Sequence, residues 1–365
     1  MRIAISTGGG DAPGLNAVIR AVVLSAHARG WDCFGVQRGF QSFLAGKPED
    51  ESTGLMVLGP NEVRGITHLG GTILGASNRG NPFRWATTLP DGSVTEVDRS
   101  DELVAAFRRA RIDALVVIGG DGSLKIAYDL WTKGVPIVGV PKTIDNDVYG
   151  TEATFGFDTA VSTATDAIDK LHSTAESHDR VMVVELMGRY AGWIALHSGV
   201  SGSADVILIP EIPFRIDSVC RKILERESRG RRFSIVVVAE GARPEGGDLV
   251  LQDEAGVGRV ERLGGIGAVV AEEITARTGK ETRSLVLGHL QRGGSPSTFD
   301  RLLALRFGAA AVGAIAAGKF GTVVVYAPPD VEVIPLAGIV GKQRLVPLSS
   351  GIIQTARSLG TSFGD

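Results

Sequence analysis

The chain reads as an α/β protein built on mostly parallel sheets. Short β-branched runs alternate with longer helical patterns along its 365 residues, the signature of strands joined by helical crossovers. Several of those runs are apolar throughout, as strands are when helices cover both faces. The 49 glycines cluster beside charged residues at the ends of the runs, where open α/β sheets bind their ligands. The length is enough for a full core and predicts two domains.

In chain order, Arg2–Thr7 is the first strand and passes through Gly8-Gly9-Gly10 into a helix over Leu15–Arg29. Phe83–Ser100 is polar and contains Pro90-Asp91-Gly92, which predicts a turn-rich surface excursion. A helical pattern over Asp101–Arg111 leads to strands at Ala114–Ile118 and Pro136–Val140, and a helix over Asp158–Leu171 follows. Strands are then expected at Val181–Leu186, Asp205–Ile209 and Ser234–Ala239, with a second polar excursion over Arg243–Glu261. The helix Gly265–Thr278, the strand Arg283–Leu287, the helix Phe299–Ala317 and the strand Thr322–Tyr326 complete the pattern. No tandem repeat is evident.

A formal net charge of -3, without basic blocks interleaved with aromatics, argues against a nucleic-acid partner. The two cysteines, Cys33 and Cys220, stand in no metal-ligand spacing. Met1-Arg2 runs directly into Ile3-Ala4-Ile5 without the features of a leader. No apolar stretch is long enough to span a bilayer. A cytoplasmic protein with no membrane partner is the expectation.

The chemistry is concentrated in Pro141-Lys142-Thr143-Ile144-Asp145-Asn146-Asp147, directly after the apolar run Val135–Val140. A base, a metal ligand and a cation at a strand end are the equipment of phosphoryl transfer, in which positioning and charge neutralisation supply most of the catalysis. For this segment alone, an Asx-rich turn is the other reading.

Two glycine loops accompany it. Gly8-Gly9-Gly10-Asp11-Ala12-Pro13-Gly14 and Gly119-Gly120-Asp121-Gly122-Ser123 each follow a strand and permit close approach of backbone amides to phosphate oxygens. Neither fits the P-loop or the dinucleotide fingerprint. Asp121, flanked by glycines, is placed to let a phosphate and its Mg2+ come close together. A cationic set completes the pattern: Arg79 with Gly80, Arg180, Arg189, Arg283 and Arg292, with His289 beside the last. Guanidinium forks suit dianionic phosphates, although a single arginine is more often a solvated surface charge. Glu240, ending a strand, is a candidate acceptor for sugar hydroxyls or a partner for a nearby cation.

With these motifs in order, the chain resembles the bacterial-type 6-phosphofructokinases from Ile3 to about Gly318. The resemblance is carried by Asp11-Ala12-Pro13-Gly14-Leu15-Asn16, Gly119–Ser123, Thr143–Asp147, Met187-Gly188-Arg189 and Gly288-His289-Leu290-Gln291-Arg292-Gly293-Gly294-Ser295-Pro296. It implies two three-layer α/β domains with mostly parallel sheets and a cleft between them. Residues 1–156 plus 291–341 would form a larger donor-binding domain, and 157–290 plus 342–365 a smaller sugar-phosphate-binding domain. Asp145 would be the base that takes the proton of the sugar's C1 hydroxyl, with Asp147 supporting the metal or orienting Asp145, and Thr143 on the transferring phosphoryl group. Gly10, Arg79, Gly80, Gly120, Asp121, Gly122, Ser123 and Lys142 would serve the donor, Asp121 also as ligand of Mg2+. Met187, Gly188, Arg189, Glu240, His289 and Arg292 would hold fructose 6-phosphate. Arg180 and Arg283 would reach it from a neighbouring subunit, implying a homo-oligomer, dimer or tetramer, with an inter-subunit active site.

The donor implied is ATP, and pyrophosphate is the alternative. Gly122 is the residue of ATP users, whereas Lys142 is that of pyrophosphate users. An Asp at 122 would set a carboxylate where the α-phosphate of ATP must sit, while Lys142 is compatible with either donor, so sterics favour ATP. A lipid or NAD kinase would not need Thr143–Asp147 or the Arg180/Arg283 pair. A non-catalytic sensor of sugar phosphate or nucleotide would be free to lose Asp145 and Asp121. Arg20 keeps one arginine of the family's allosteric anion site, but Leu24 and His172 stand where others would be, which predicts a weak response to nucleoside diphosphate and phosphoenolpyruvate.

Overall fold

The computed structural model describes residues 1–45, 54–77, 80–253, 256 and 261–365. The first stretch comprises β1 (Arg2–Thr7), α1 (Leu15–His27), β2 (Asp32–Val36), α2 (Gln41–Ala45), β3 (Leu55–Leu58) and a hairpin of β4 (Trp85–Thr88) and β5 (Val94–Val97). Then come α3 (Ser100–Arg109), β6 (Ala114–Gly119), α4 (Asp121–Thr132) and β7 (Ile137–Pro141). The next stretch is α5 (Phe157–Ser177), β8 (Val181–Leu186), α6 (Trp193–Ser201), β9 (Val206–Leu208), α7 (Ile216–Ser228), β10 (Ser234–Ala239), the short pair β11 (Leu251–Asp253) and β12 (Arg262–Leu263), α8 (Ile266–Thr278) and β13 (Thr282–Val286). A 3-10 turn over Gly288–Arg292 precedes α9 (Thr298–Ala316), β14 (Thr322–Ala327), β15 (Asp330–Pro335) and α10 (Gly351–Ser358).

Two main sheets result. The larger runs β15-β14-β7-β6-β1-β2-β3 and the smaller β13-β8-β10-β9. All pairings in the smaller sheet are parallel; in the larger only the edge strands β3 and β15 are antiparallel. Alternate side chains enter cores on opposite faces, as the period of two requires. Ile3, Ile5, Val116 and Ile118 pack toward α1 and α9, whereas Ala4, Leu115 and Val117 pack toward α3 and α4. In the smaller sheet Val184, Leu186, Ile235 and Val237 join α5 and α6, and Val183, Val236 and Val238 join α7 and α8. Each sheet is therefore a three-layer sandwich.

This topology fixes where a ligand site lies. From β1 the chain crosses by α1 to β2, on one side; from β6 it crosses by α4 to β7, on the other. The strand order reverses between β1 and β6, so a crevice opens beyond their carboxyl ends. Both glycine loops emerge there.

The expected strands are present, with ends shifted by a residue or two. The surface excursion over 83–100 is ordered at its centre: it is the hairpin β4–β5, closed through Pro90-Asp91-Gly92 by Gly92 N–H to Leu89 C=O at 2.9 Å and Leu89 N–H to Ser93 C=O at 2.8 Å. Cross-strand Thr and Val pairs make a ladder without a buried face. The excursion 243–261 contains β11, which pairs with β12 just beyond it, and its residues 254–255 and 257–260 lie outside the described residues. Cys33 and Cys220 are both buried and free. Among the described residues no helix is long and apolar enough to cross a membrane.

Candidate active site

Backbone conformation at the ends of β1 and β6 brings the two glycine loops together. Gly8 N–H donates to Ile118 C=O at 2.9 Å and Gly9 N–H to Ser77 C=O at 3.2 Å. A Cβ on Gly8 would come within 2.7 Å of Ser123 Oγ, and one on Gly10 would overlap the Arg292 guanidinium. The loops interlock because both lack side chains. Gly120 precedes α4 without a side-chain cap, and Asp121 stands in its first turn. Free N–H groups at a helix start favour an anion. A side chain at Gly122 would meet no described residue within 4 Å, so among the described residues nothing fills the space beyond this turn. Gly80 packs against Gln41 and Trp85. Arg79 lies outside the described residues.

The segment after β7 sits underneath. Lys142 is 3 % exposed; its backbone N–H donates to Gly119 C=O at 2.9 Å, and its ammonium donates to Gly10 C=O. It thus ties both glycine loops from below. Burial pushes its pKa down to about 8, helped by Arg292 and opposed by Asp145 and Asp11. An arriving phosphate would favour the charged form.

Asp145 and Asp147 are each 5 % exposed. Burial raises the pKa of Asp145, while Arg292, Arg189, the Thr143 hydroxyl and Lys142 oppose it. Asp147 is pushed up to about 7 by burial, then by the neighbouring charges of Asp145 and Asp121. Asp145 Oδ1 is buried, and no described residue hydrogen-bonds to it. An uncommitted carboxylate oxygen beside two guanidinium groups is what proton abstraction from a bound hydroxyl requires. The turn is held by its own residues: Asp145 N–H donates to Thr143 Oγ1 at 3.1 Å, Thr154 Oγ1 to Thr143 C=O at 2.7 Å, and Thr154 N–H to Asn146 Oδ1 at 3.0 Å.

The smaller sheet supplies the facing wall. Met187, Gly188 and Arg189 follow β8, and Gly188 and Arg189 take φ of 142° and 51°. Glu240, just after β10, accepts the Arg189 N–H at 3.0 Å. Its pKa rises to about 7 because it is buried, with Asp145 and Glu185 adding and hydrogen bonds from Arg189 and Gly188 opposing. His289 and Arg292 stand on the turn after β13, His289 exposed and Arg292 half-buried against Gly10. The structure therefore brings Lys142, Thr143, Asp145, Asp147, Arg189, Glu240 and Arg292 to one place, with Gly10 and Gly120–Ser123 above it.

Arg180 and Arg283 are elsewhere. Arg180 precedes β8 and Arg283 is the second residue of β13, so both lie at the opposite end of the smaller sheet from Arg189, about 20 Å away at the usual rise per residue. Each pairs with the same carboxylate oxygen of Glu281, at 2.8 and 2.6 Å. Glu281 was not singled out by sequence reasoning, and its place two residues before Arg283 is the only signal in the sequence that points to it.

The donor set suits a divalent cation held jointly with phosphate. The charge of Asp121 helps raise the proton affinity of Asp147, a repulsion that a metal would relieve, yet among the described residues no cluster of three metal-ligating side chains exists. Mg2+ is commonly bound through one or two carboxylates plus substrate phosphates rather than an all-protein cage. The residues fit it on those terms.

Comparisons with known proteins agree with this geometry. A family model described as phosphofructokinase matches residues 2–315. The chain is 50% identical over 366 residues to an ATP-dependent 6-phosphofructokinase of Chloroflexus aurantiacus, covering 100% of this chain and 98% of that one. It is 48% identical over 351 residues to a pyrophosphate–fructose 6-phosphate 1-phosphotransferase of Amycolatopsis mediterranei, covering 95% and 97%. The structure of phosphofructokinase from Saccharomyces cerevisiae superposes with a TM-score of 0.76 at 29% identity. All of this chain is covered, but it spans only about half, 48%, of the yeast chain. Taken with the interlocked glycine loops and the carboxylates beneath them, these matches establish that the chain belongs to the phosphofructokinase family.

Proposed function

We propose that this chain is an ATP-dependent 6-phosphofructokinase, which moves the γ-phosphoryl group of ATP to the C1 hydroxyl of fructose 6-phosphate and releases fructose 1,6-bisphosphate and ADP, a step of glycolysis in the cytoplasm. The observation that carries this reading is the buried Asp145, with an oxygen that no described residue bonds, beside Arg189 and Arg292 and below the two glycine loops. Asp145 takes the C1 hydroxyl proton as the oxygen attacks the γ-phosphorus. Thr143 contacts the phosphoryl group in transit. Lys142, the amides around Gly10 and Gly120, and Gly80, Gly122 and Ser123 receive the donor phosphates, with Arg79 joining them. Arg189, Glu240, His289 and Arg292, with Met187 and Gly188 shaping the wall, hold the sugar phosphate. Asp121 holds Mg2+ with Asp147 in support, and the metal when bound neutralises charge on the donor phosphates.

The open space at Gly122 favours ATP, since a nucleoside needs room beyond the β-phosphate. Pyrophosphate is the second reading: Lys142 and the Amycolatopsis relative favour it. The division into a donor-binding unit of 1–156 plus 291–341 and a sugar-phosphate unit of 157–290 plus 342–365 follows the membership of the two sheets, and so belongs with this reading. Arg180 and Arg283, remote from Arg189 within one chain, are assigned to the site of a neighbouring copy, in a dimer or tetramer.

The test is an assay of purified protein with fructose 6-phosphate, ATP and Mg2+. Stoichiometric ADP and fructose 1,6-bisphosphate are expected. Absence of transfer from either ATP or pyrophosphate would reject the assignment in favour of a sensor.

A further inference from the structure

The chain beyond β15 returns between the two sheets and touches both. Gln343 pairs with Val148 as an isolated antiparallel bridge, and from there alternate residues point inward. Gln343 and Leu345 are exposed, Val346 is buried, and the Arg344 side chain is 19% exposed. The Arg344 N–H donates to Asp147 C=O at 2.8 Å. Its guanidinium donates to Asn146 C=O at 3.3 Å and to Glu152 Oε2 at 3.1 Å. The same guanidinium lies 4.1 Å from the ring centre of Trp193, whose indole N–H donates to Arg344 C=O at 2.8 Å. Trp193 is the first residue of α6, four residues after Arg189. One step on, Val346 N–H donates to Glu211 Oε1 at 2.9 Å, the carboxylate that also accepts Gly192 N–H at 3.0 Å.

Asn146 between the two carboxylates takes φ of 54°, a conformation that needs surrounding contacts to persist in a residue other than glycine. Its side chain is held by Thr154. Its carbonyl is held by Arg344. Glu152 is 65% exposed, and exposed ion pairs contribute little, so the weight falls on the guanidinium's stacking on Trp193 and its bond to the Asn146 carbonyl. A planar guanidinium meets a ring face and an in-plane acceptor at once, which an ammonium cannot do.

We propose that Arg344 is a positioning residue: it fixes the turn carrying Asp145 and Asp147 against the start of α6, and so sets the base relative to the segment carrying Arg189. This deepens the kinase reading and rests on it for its kinetic arm, but not for its exchange arm. In the full-length protein, Arg344→Ala lowers kcat about tenfold, since a displacement well under 1 Å at a base is costly, while KM for fructose 6-phosphate and for ATP stays within about threefold. Arg344→Lys recovers part of the loss. Amide hydrogen exchange across 143–148 speeds up in Arg344→Ala, while exchange in β6 and β8 is unchanged. A kcat within twofold of wild type with unaltered exchange at 143–148 overturns the proposal. So does an exchange increase spread over both sheets with no recovery by lysine, which marks a merely structural role. If wild type transfers no phosphoryl group, the kinase reading fails and the exchange arm decides this one. If Arg344→Ala does not fold, Trp193→Phe takes its place: faster local exchange at 143–148 supports the proposal, and unchanged exchange rejects it.

Discussion

The two halves of the site are built differently. At the ends of β1, β6 and β7 everything is closed within one chain: Lys142 binds the Gly10 carbonyl, Ser123 fills the space beside Gly8, and Asp145 and Asp147 are almost fully buried. At the smaller sheet, Arg189, Glu240 and Arg292 face the base, but Arg180 and Arg283 lie at the far end, paired with Glu281 on an edge strand whose residues 283–286 are all exposed. Charge buried without ligand is costly, so the donor half carries strain that its loops must contain. At the far end of the smaller sheet the two guanidinium groups instead share the Glu281 carboxylate, Arg283 exposed and Arg180 half-buried. On the proposed reading, one chain encloses the reacting atoms while Arg180 and Arg283 serve another copy.

The largest effect belongs to the closed half. Asp145→Asn removes the base and is expected to lower kcat roughly 10²–10⁴-fold, with fructose 6-phosphate affinity, measured by equilibrium binding, changed far less. Near-normal turnover would move the base elsewhere.

Next is the open half. Arg180→Ala and Arg283→Ala should each raise KM for fructose 6-phosphate roughly 10–100-fold, the worth of one charged hydrogen bond, with kcat less affected. Mixing Arg283→Ala with Asp145→Asn subunits should restore activity above either parent, because some interfaces then carry an intact site. Unchanged KM in the single variants, with no restoration, would mean one chain completes the site.

A smaller effect comes from pH. Activity should fall as pH drops through about 7, where Asp147 takes up a proton; burial raises the neighbouring base Asp145 as well. Asp147→Asn removes a neighbouring negative charge and should move that limb to lower pH, besides reducing turnover. Stability moves oppositely. The folded value of Asp147 lies above the unfolded one, so the native state binds more protons between about 4 and about 7, and stability declines as pH rises through that window. Asp147→Asn should therefore raise the melting temperature of the ligand-free protein by about a few degrees at pH 8 and hardly at pH 4. An equal gain at both would show that ionisation is not the cost.

The smallest expected effect is regulatory. Arg20 is engaged with Val63 C=O at 2.9 Å and His172 with Gly202 C=O at 2.7 Å, and Leu24 packs on the core. Phosphoenolpyruvate and nucleoside diphosphate should change kcat/KM less than about twofold, since the missing charged hydrogen bonds would have supplied most of the affinity. Strong saturable inhibition that does not compete at the active site would contradict this.

Much of this was legible in the sequence, for a physical reason. Strands buried on both faces, such as Val181–Leu186 and Ser234–Ala239, announce themselves as apolar runs, and the loops that follow them need glycines or carboxylates for chemistry. Other elements were silent. β2 is broken by Gly35, where a Cβ would overlap Leu74, so its β-branched run is too short to read. α6 buries every residue from Trp193 to Gly199 except His197, leaving no amphipathic period. α7 buries only Val219, Cys220 and Ile223 among its apolar positions in a charged segment. In the site, the resemblance set Arg180 and Arg283 apart from the other motif residues, but that Arg292 lies on Gly10 and that Arg180 and Arg283 share Glu281 are matters of tertiary placement. The strap through Arg344 gave no signal, because alternation over four residues is too short to distinguish from chance.

The most direct test is kcat/KM for ATP against pyrophosphate, at saturating fructose 6-phosphate and Mg2+, in wild type and in Gly122→Asp, with Lys142→Gly as control. The open space at Gly122 predicts that wild type prefers ATP. In Gly122→Asp, the new carboxylate should lower ATP use sharply while pyrophosphate use is spared or improved, and Lys142→Gly should harm pyrophosphate use more than ATP use. A wild type that prefers pyrophosphate would contradict the account and make Lys142, rather than the space at Gly122, the residue that sets the donor.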